Sequence, residues 1–176
     1  NEVTIFDIQK SPYLKNNQKM IVGDILDQKL VETAINGNEI VFNYAGISDI
    51  DECHKKPLDA IKMNILGNAY ILEASIKMNI EKFLFASSAY VYSSSGSFYK
   101  DTKQSCEQII ESYSKLGKID YTILRYGSLY GERSDSRNSL FKIVSSALKF
   151  NKIDYHGNGD EIREFIHVND AARLSL

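Results

Sequence analysis

Residues 82–107, KFLFASSAYVYSSSGSFYKDTKQSCE, set the tightest limit on what this chain can fold into. Lys82 to Ser87 is an apolar, aromatic-rich run of strand length. A serine-rich turn follows, and then a helix that opens with Tyr99-x-x-x-Lys103. Ser88 stands just past the end of the strand, where an open α/β sheet places its chemistry. Tyr99 and Lys103 are four residues apart, so a helix presents them on one face about one turn from each other. A positive charge beside a phenol favours the phenolate and draws the tyrosine pKa down from about 10. The spacing therefore predicts an acid/base group able to work near neutral pH, with Ser88 holding the oxygen whose proton moves. The plainer reading of the same spacing is a surface lysine lying over a half-buried tyrosine.

Composition narrows the class. A chain of 176 residues with 43% hydrophobic content fits one globular domain. Net charge is −2 with both signs interspersed, and no basic stripe points to nucleic acid or to an anionic membrane. No apolar stretch is long enough to span a bilayer, and the first residues carry no signal-peptide pattern. Cys53 and Cys106 lack metal-site spacing and are too few for a disulfide framework. They read as thiols in a reducing compartment, with cytoplasm as the expected location and no metal implied.

Three further motifs accompany Tyr99 and Lys103: SSAYVY upstream, ILRYGSLYGER downstream and REFIHVND near the end. With these in this order, the chain resembles an extended short-chain dehydrogenase/reductase of the nucleotide-sugar epimerase/dehydratase type, the UDP-glucose 4-epimerase-like group. The resemblance implies an α/β fold: a Rossmann-like, doubly wound parallel sheet with a partial C-terminal substrate-binding lobe. Residues 1–135 would form the NAD-binding domain. Residues 136–176 would begin the substrate lobe, with one strand returning to the main sheet. It also implies NAD as cofactor, a nucleotide-sugar substrate such as polysaccharide biosynthesis consumes, and a homodimer formed through the helices of residues 58–78 and 99–116. The family's catalytic triad maps onto Ser88, Tyr99 and Lys103.

Taken in order, Val3 to Ile8 is a short strand with Asp7 near its end. An acid in that place accepts hydrogen bonds from the adenosine ribose and repels a 2′-phosphate, which favours NAD over NADP, although Lys10 is close. A solvent-facing strand-end aspartate is the other reading. The family's first strand and its G-x-x-G-x-x-G turn, which cradle the pyrophosphate, would precede Val3 and are not in the sequence. The expectation is a longer protein, and weak NAD binding by a fragment that begins at Asn1. Met20 to Val22 forms the next strand, followed by Gly23-Asp24-Ile25. In the resemblance Asp24 meets the adenine through its carboxylate, and Ile25 through its backbone or apolar side. Asp27 is expected to cap a helix over QKLVETAI.

Glu39 to Ala45 reads as a strand ending in Tyr44-Ala45-Gly46, which resembles the family's cofactor loop, where small residues admit the dinucleotide. Gly46 also reads as a plain turn glycine. Leu58 to Met78 is apolar at helical spacing, with Pro57 in its first turn. Asn64 within it matches a family asparagine that steadies the active-site backbone and solvent. Gly67 costs the helix about 1 kcal/mol against alanine, so it should permit a close approach. Asp120 to Tyr126 is another strand. By resemblance Tyr126 lines the nicotinamide side, Ser128 replaces an asparagine that meets the substrate diphosphate, and Arg163 clamps the nucleoside diphosphate. Asn138 to Phe150 reads as an amphipathic helix, Gly157 to Asp160 as a turn, His167 as a structural residue on a strand, and Asn169-Asp170 as the cap of a last helix.

Two departures from the family bear on substrate. The segment between Ser88 and Tyr99 lacks the acidic, proline-containing insertion of most relatives, so the lid over a sugar must be smaller. Relatives that eliminate water place an Asp-Glu pair after the catalytic hydroxyl residue, whereas here Ala89 and Tyr90 follow Ser88. This argues against a 4,6-dehydratase. An epimerase is expected, with a reductase of the same fold and a non-catalytic dinucleotide-sensing or scaffold protein as rivals. Sequence alone names neither the sugar nor its nucleotide.

Overall fold

The apolar run at Lys82 becomes the strand on which the first part of the chain is built. In the computed structural model, which describes every residue except Asn1, Ser95, residues 154–157 and Glu161, β4 spans Lys82–Ser88 and is buried along most of its length. Phe83 and Phe85 are almost wholly inaccessible, and Leu84, on the opposite face, is buried too. A strand covered on both faces reads as a continuous apolar run rather than an alternation, which is why the sequence shows no period of two here.

The chain divides into two compact units, Asn1–Leu124 and Arg125–Leu176, with the division ahead of the boundary expected after residue 135. In the first unit the order is β1 (Val3–Asp7), β2 (Gln18–Val22), α1 (Gln28–Ile35), β3 (Ile40–Asn43), α2 (Ile50–Lys55) and α3 (Pro57–Ala60). A π-helical stretch (Ile61–Leu66), α4 (Gly67–Lys77), β4, a 3₁₀ turn (Ala89–Tyr92), α5 (Ser97–Lys115) and β5 (Tyr121–Tyr126), whose last two residues belong to the second unit, follow. β1 pairs with β2 in parallel, β3 with β4 in parallel, and the second ladder runs β3-β4-β5. β3 and β4 are joined by a helical crossover and β1 and β2 by a loop over residues 8–17, and these parallel pairs with their flanking helices make this the expected Rossmann-like α/β architecture.

Local chemistry explains the helix starts. Asp27 and Asp49 each accept a backbone N–H in the first turn of α1 and α2, at 3.1 and 2.8 Å. α2 was not anticipated, although Asp49-x-x-Glu52 is a helix-start pattern. The single helix expected over residues 58–78 is three pieces. In its middle the Gly67 N–H donates to the Lys62 carbonyl, five residues back, which is the π spacing. Gly67 has its close approach: a Cβ there would lie 2.5 Å from Ile25 Cδ1. The core gathers Val31 and Ile35 of α1, Ile71 and Leu72 of α4, Phe83 and Phe85 of β4, and Cys106 and Ile110 of α5.

The second unit continues from β5 into β6 (Ser128–Tyr130), α6 (Ser139–Phe150), β7 (Phe165–His167) and α7 (Val168–Leu174). One strand of residues 136–176 was expected to return to the main sheet; β7 lies in that part, and its parallel partner is β6. Asn138 caps α6 through the Phe141 N–H. α7 is capped by His167, whose Nδ1 accepts the Asn169 N–H at 3.2 Å, rather than by the expected Asn169-Asp170. Of the anticipated turn at residues 157–160, Gly157 lies outside the described residues.

Candidate active site

The last three residues of β4 are each tied to α5. The Lys103 ammonium donates to the Ala86 carbonyl at 2.7 Å, and the Ser87 hydroxyl donates to Glu107 Oε1. The Ser88 hydroxyl stands close enough to the Tyr99 phenol to draw its pKa down. Helical spacing sets Tyr99, Lys103 and Glu107 one turn apart along α5, so one face of the helix meets one strand end with three polar groups in register. Ser88 Oγ also accepts the Tyr90 N–H at 3.2 Å, which fixes its position at the start of the 3₁₀ turn. The Tyr90 ring meets Tyr99 edge-on, with centroids 6.4 Å apart. Tyr99 is 9% exposed and packs with Cys53 of α2 and Ala60 of α3.

The electrostatics correct one expectation. Tyr99 was expected to have its pKa drawn down by Lys103. Instead burial pushes the phenol above its ordinary value, and the nearby Ser88 hydroxyl offsets this only in part. Cys53 and Tyr90 act in the same direction as burial. The sequence shows that a lysine is near but not how deeply the phenol is buried, and here desolvation wins. Burial also draws the Lys103 amine below the ordinary lysine range, opposed by Cys106, Cys53 and Glu107. That amine lies 4.7 Å from the Phe85 ring centroid.

A second set of bonds joins the loop after β3 to the same helix. Asn64 Oδ1 accepts the Ile47 N–H at 2.7 Å, and its Nδ2 donates to the Ile47 carbonyl at 3.1 Å and to Thr102 Oγ1 at 3.0 Å. Thr102 in turn donates to the Tyr99 carbonyl at 2.9 Å. Asn64 is thus a brace between the loop and α5. It also explains Gly46, whose φ of +142° lies where side chains are strained and whose added Cβ would fall 2.6 Å from Asn64 Oδ1. Thr102, Glu107 and Ser87 were not singled out in the sequence. Glu107, four residues beyond Lys103, was the one whose spacing gave a signal.

The other expected cofactor residues of this unit follow carboxyl ends of strands. Asp7 ends β1, is exposed, and accepts the Gln9 N–H at 2.9 Å. Asp24, two residues past β2, accepts the Leu26 N–H at 2.9 Å. The Ile25 side chain is buried in the core, which leaves its backbone for any ligand. Tyr44, Ala45 and Gly46 follow β3. The exposed Tyr44 ring stacks on Phe42, and Ala45 donates its N–H to Asn43 Oδ1. A strand-end carboxylate, a loop held open by Gly46 and a buried amine at Lys103 fit a dinucleotide. Among the described residues no group of three or more His, Cys, Asp or Glu stands close enough to hold a metal, and no helix is long and apolar enough to cross a membrane.

Three expected residues lie in the second unit. The Tyr126 phenol is 2.5 Å from Ser175 Oγ. Because Ser175 donates its own hydrogen to the Ala171 carbonyl, Tyr126 is the donor of that pair. Ser128 is half-buried at the start of β6, with its N–H on the Glu164 carbonyl at 2.7 Å. Arg163 is exposed.

Comparison with known proteins gives a consistent result. Residues 1–176 match the model of the NAD dependent epimerase/dehydratase family. A putative UDP-glucose 4-epimerase of Methanocaldococcus jannaschii is 30% identical, with 92% of this chain and 60% of that protein aligned. A UDP-glucose 4-epimerase of Yersinia enterocolitica is 29% identical over 88% of this chain and 56% of that protein. Among solved structures, the UDP-glucose 4-epimerase of Thermotoga maritima superposes with a TM-score of 0.90 at 24% identity, covering 99% of this chain and 64% of that one. The chain spans about half the length of the curated relatives it matches.

Proposed function

We propose, for a chain that belongs to the NAD dependent epimerase/dehydratase family, that the protein carrying it epimerises a nucleotide-activated sugar with Ser88, Tyr99 and Lys103 as its catalytic residues. One observation carries the reading. The Tyr99 phenol stands close enough to Ser88, at the carboxyl end of β4, for that hydroxyl to draw its pKa down, with the Lys103 ammonium one turn further along α5 on the Ala86 carbonyl. This supports reading the three as a proton carrier, an oxygen-holding hydroxyl and a cation at one strand end.

NAD, when bound, supplies a reversible hydride acceptor. Asp7, Asp24, the Ile25 backbone, Tyr44 to Gly46, Lys103 and Tyr126 would hold it, and Asn64 would keep the loop of residues 44–47 in place through its bonds to Ile47. Tyr99 takes the proton of the reacting sugar hydroxyl at Oη and returns it. Ser88 Oγ holds the same oxygen. Burial favours the protonated phenol in the free protein, so Tyr99 must first release that proton to solvent before its phenolate can take the one from the sugar hydroxyl. Ala89 and Tyr90, in place of an acidic pair, offer no second group to expel hydroxide, which favours epimerisation over dehydration. Ser128 and Arg163 would meet the substrate diphosphate. The helices of residues 58–78 and 99–116 would form a homodimer contact, and the protein would work in the cytoplasm. Domain roles follow the same reading, with the dinucleotide held by the first part of the chain and the sugar nucleotide by the part after residue 135.

Tyr99→Phe in the full-length protein tests this. Turnover on UDP-sugars should fall by about 10²- to 10⁴-fold, while the melting temperature stays within a few degrees. Wild-type turnover in that variant refutes the assignment. Net consumption of reduced cofactor by the wild-type enzyme would move it to a reductase.

A further inference from the structure

Glu107 has no part in the chemistry described so far, yet it is a buried ionisable group one turn from Lys103. It is 7% exposed, and its Oε1 receives the Ser87 hydroxyl, which is itself 4% exposed. Lys103 is 6% exposed and lies on the same face of α5. Ala86 and Ser87 are adjacent on β4, so the lysine and the glutamate are held by neighbouring residues of one strand. Burying an ammonium with only a carbonyl and an aromatic face against it is costly, and a nearby anion repays part of that cost.

We propose that Glu107 is a positioning residue: a buried carboxylate, anchored by Ser87, that supplies the negative charge against which Lys103 stays protonated at the end of β4. The groups acting on the charge of Lys103 are the Cys53 thiol from α2 and, from α5 itself, Cys106 and Glu107. β4 contributes the Ala86 carbonyl and the Phe85 ring. The Cys106 thiol is pushed up to about 12 by burial, and that of Cys53 is raised as well. Both thiols stay protonated near pH 7, which leaves the carboxyl of Glu107 as the acid of the three to which the proposal assigns the charge. The consequence for turnover rests on the triad reading given above. The consequence for Lys103 does not.

The test is an NMR titration of the Lys103 Cε signal in the full-length protein, identified by its loss in Lys103→Arg, together with the pH profile of kcat/KM. Glu107→Gln keeps an oxygen for Ser87 and removes the charge. Lys103 should then titrate about one pH unit lower, and the alkaline limb of the activity profile should move the same way. Glu107→Asp should restore most of the shift, and Ser87→Ala should produce a smaller one in the same direction. A folded Glu107→Gln variant with Lys103 titrating as in the wild type overturns the proposal. Should that variant not fold, an unshifted Lys103 in Ser87→Ala overturns it instead. Wild-type turnover in Tyr99→Phe would sink the functional reading while leaving the Lys103 titration to stand or fall by its own measurement.

Discussion

α5 and α6 are both amphipathic helices of ordinary composition, and their fates differ. α5 buries Tyr99, Thr102, Lys103, Cys106, Glu107 and Ile110, four of them polar or charged by type apart from the thiol and Ile110. α6 buries none of its residues: Phe141, Val144, Leu148 and Phe150 are all exposed. A periodic apolar stripe says that a face seeks cover, but it does not say what covers it. The helix with the more polar buried face is the one held in place, because each of its polar groups has a named partner on β4 or on the π-helical stretch. Paired in this way, buried polar groups specify a register that apolar packing alone leaves loose.

The largest expected effect comes from the covered side of that contrast. Phe83→Ala should destabilise the protein by about 3–5 kcal/mol, because a fully buried ring leaves a cavity in a strand packed on both faces. Chemical denaturation would measure it. A loss below about 1 kcal/mol would mean that β4 is not the centre of the core.

This contrast also marks what the sequence could and could not tell. β4 was legible because a strand buried on both faces has no other pattern, α1 because Asp27 announces its cap, and α6 because its apolar residues recur at helical spacing. α2 was missed because it is six residues long and mostly polar outside Cys53, leaving only its cap to signal it. The break of residues 57–77 into α and π pieces was invisible, since apolar spacing at 3.6 and at the wider π turn differ little over one turn. That Tyr99 and Lys103 share one face of α5 was readable from their spacing. The raised phenol of Tyr99 was not, because desolvation is a property of what packs around a group and not of its neighbours in sequence.

A pH experiment sharpens the same contrast within α5. The Cys106 thiol is raised from 9.0 to about 12 in the folded chain by burial, while it donates to the Asn64 carbonyl at 3.1 Å. A raised acid pKa means that the folded state keeps its proton longer than the unfolded state does. The stability from this group is therefore fully present below pH 9 and is lost as pH rises from about 9 towards 12. Lys103 has the opposite sign: its lowered value makes stability rise with pH below the unfolded lysine value of 10.5. Cys106→Ala should flatten the alkaline fall in melting temperature, and Lys103→Met should steepen it. Parallel melting curves for wild type and Cys106→Ala between pH 8 and 10 would show that the thiol is not buried as described.

The smallest effect is expected on α6, and it is the one that decides whether the contrast is real. Leu148 is 83% exposed, so Leu148→Ala removes almost no buried surface and trades one good helix former for a better one. Its stability should stay within about 0.5 kcal/mol of wild type in chemical denaturation. A loss of about 2–5 kcal/mol, the range for truncating a buried leucine, would mean that α6 is already packed, and the difference from α5 would disappear.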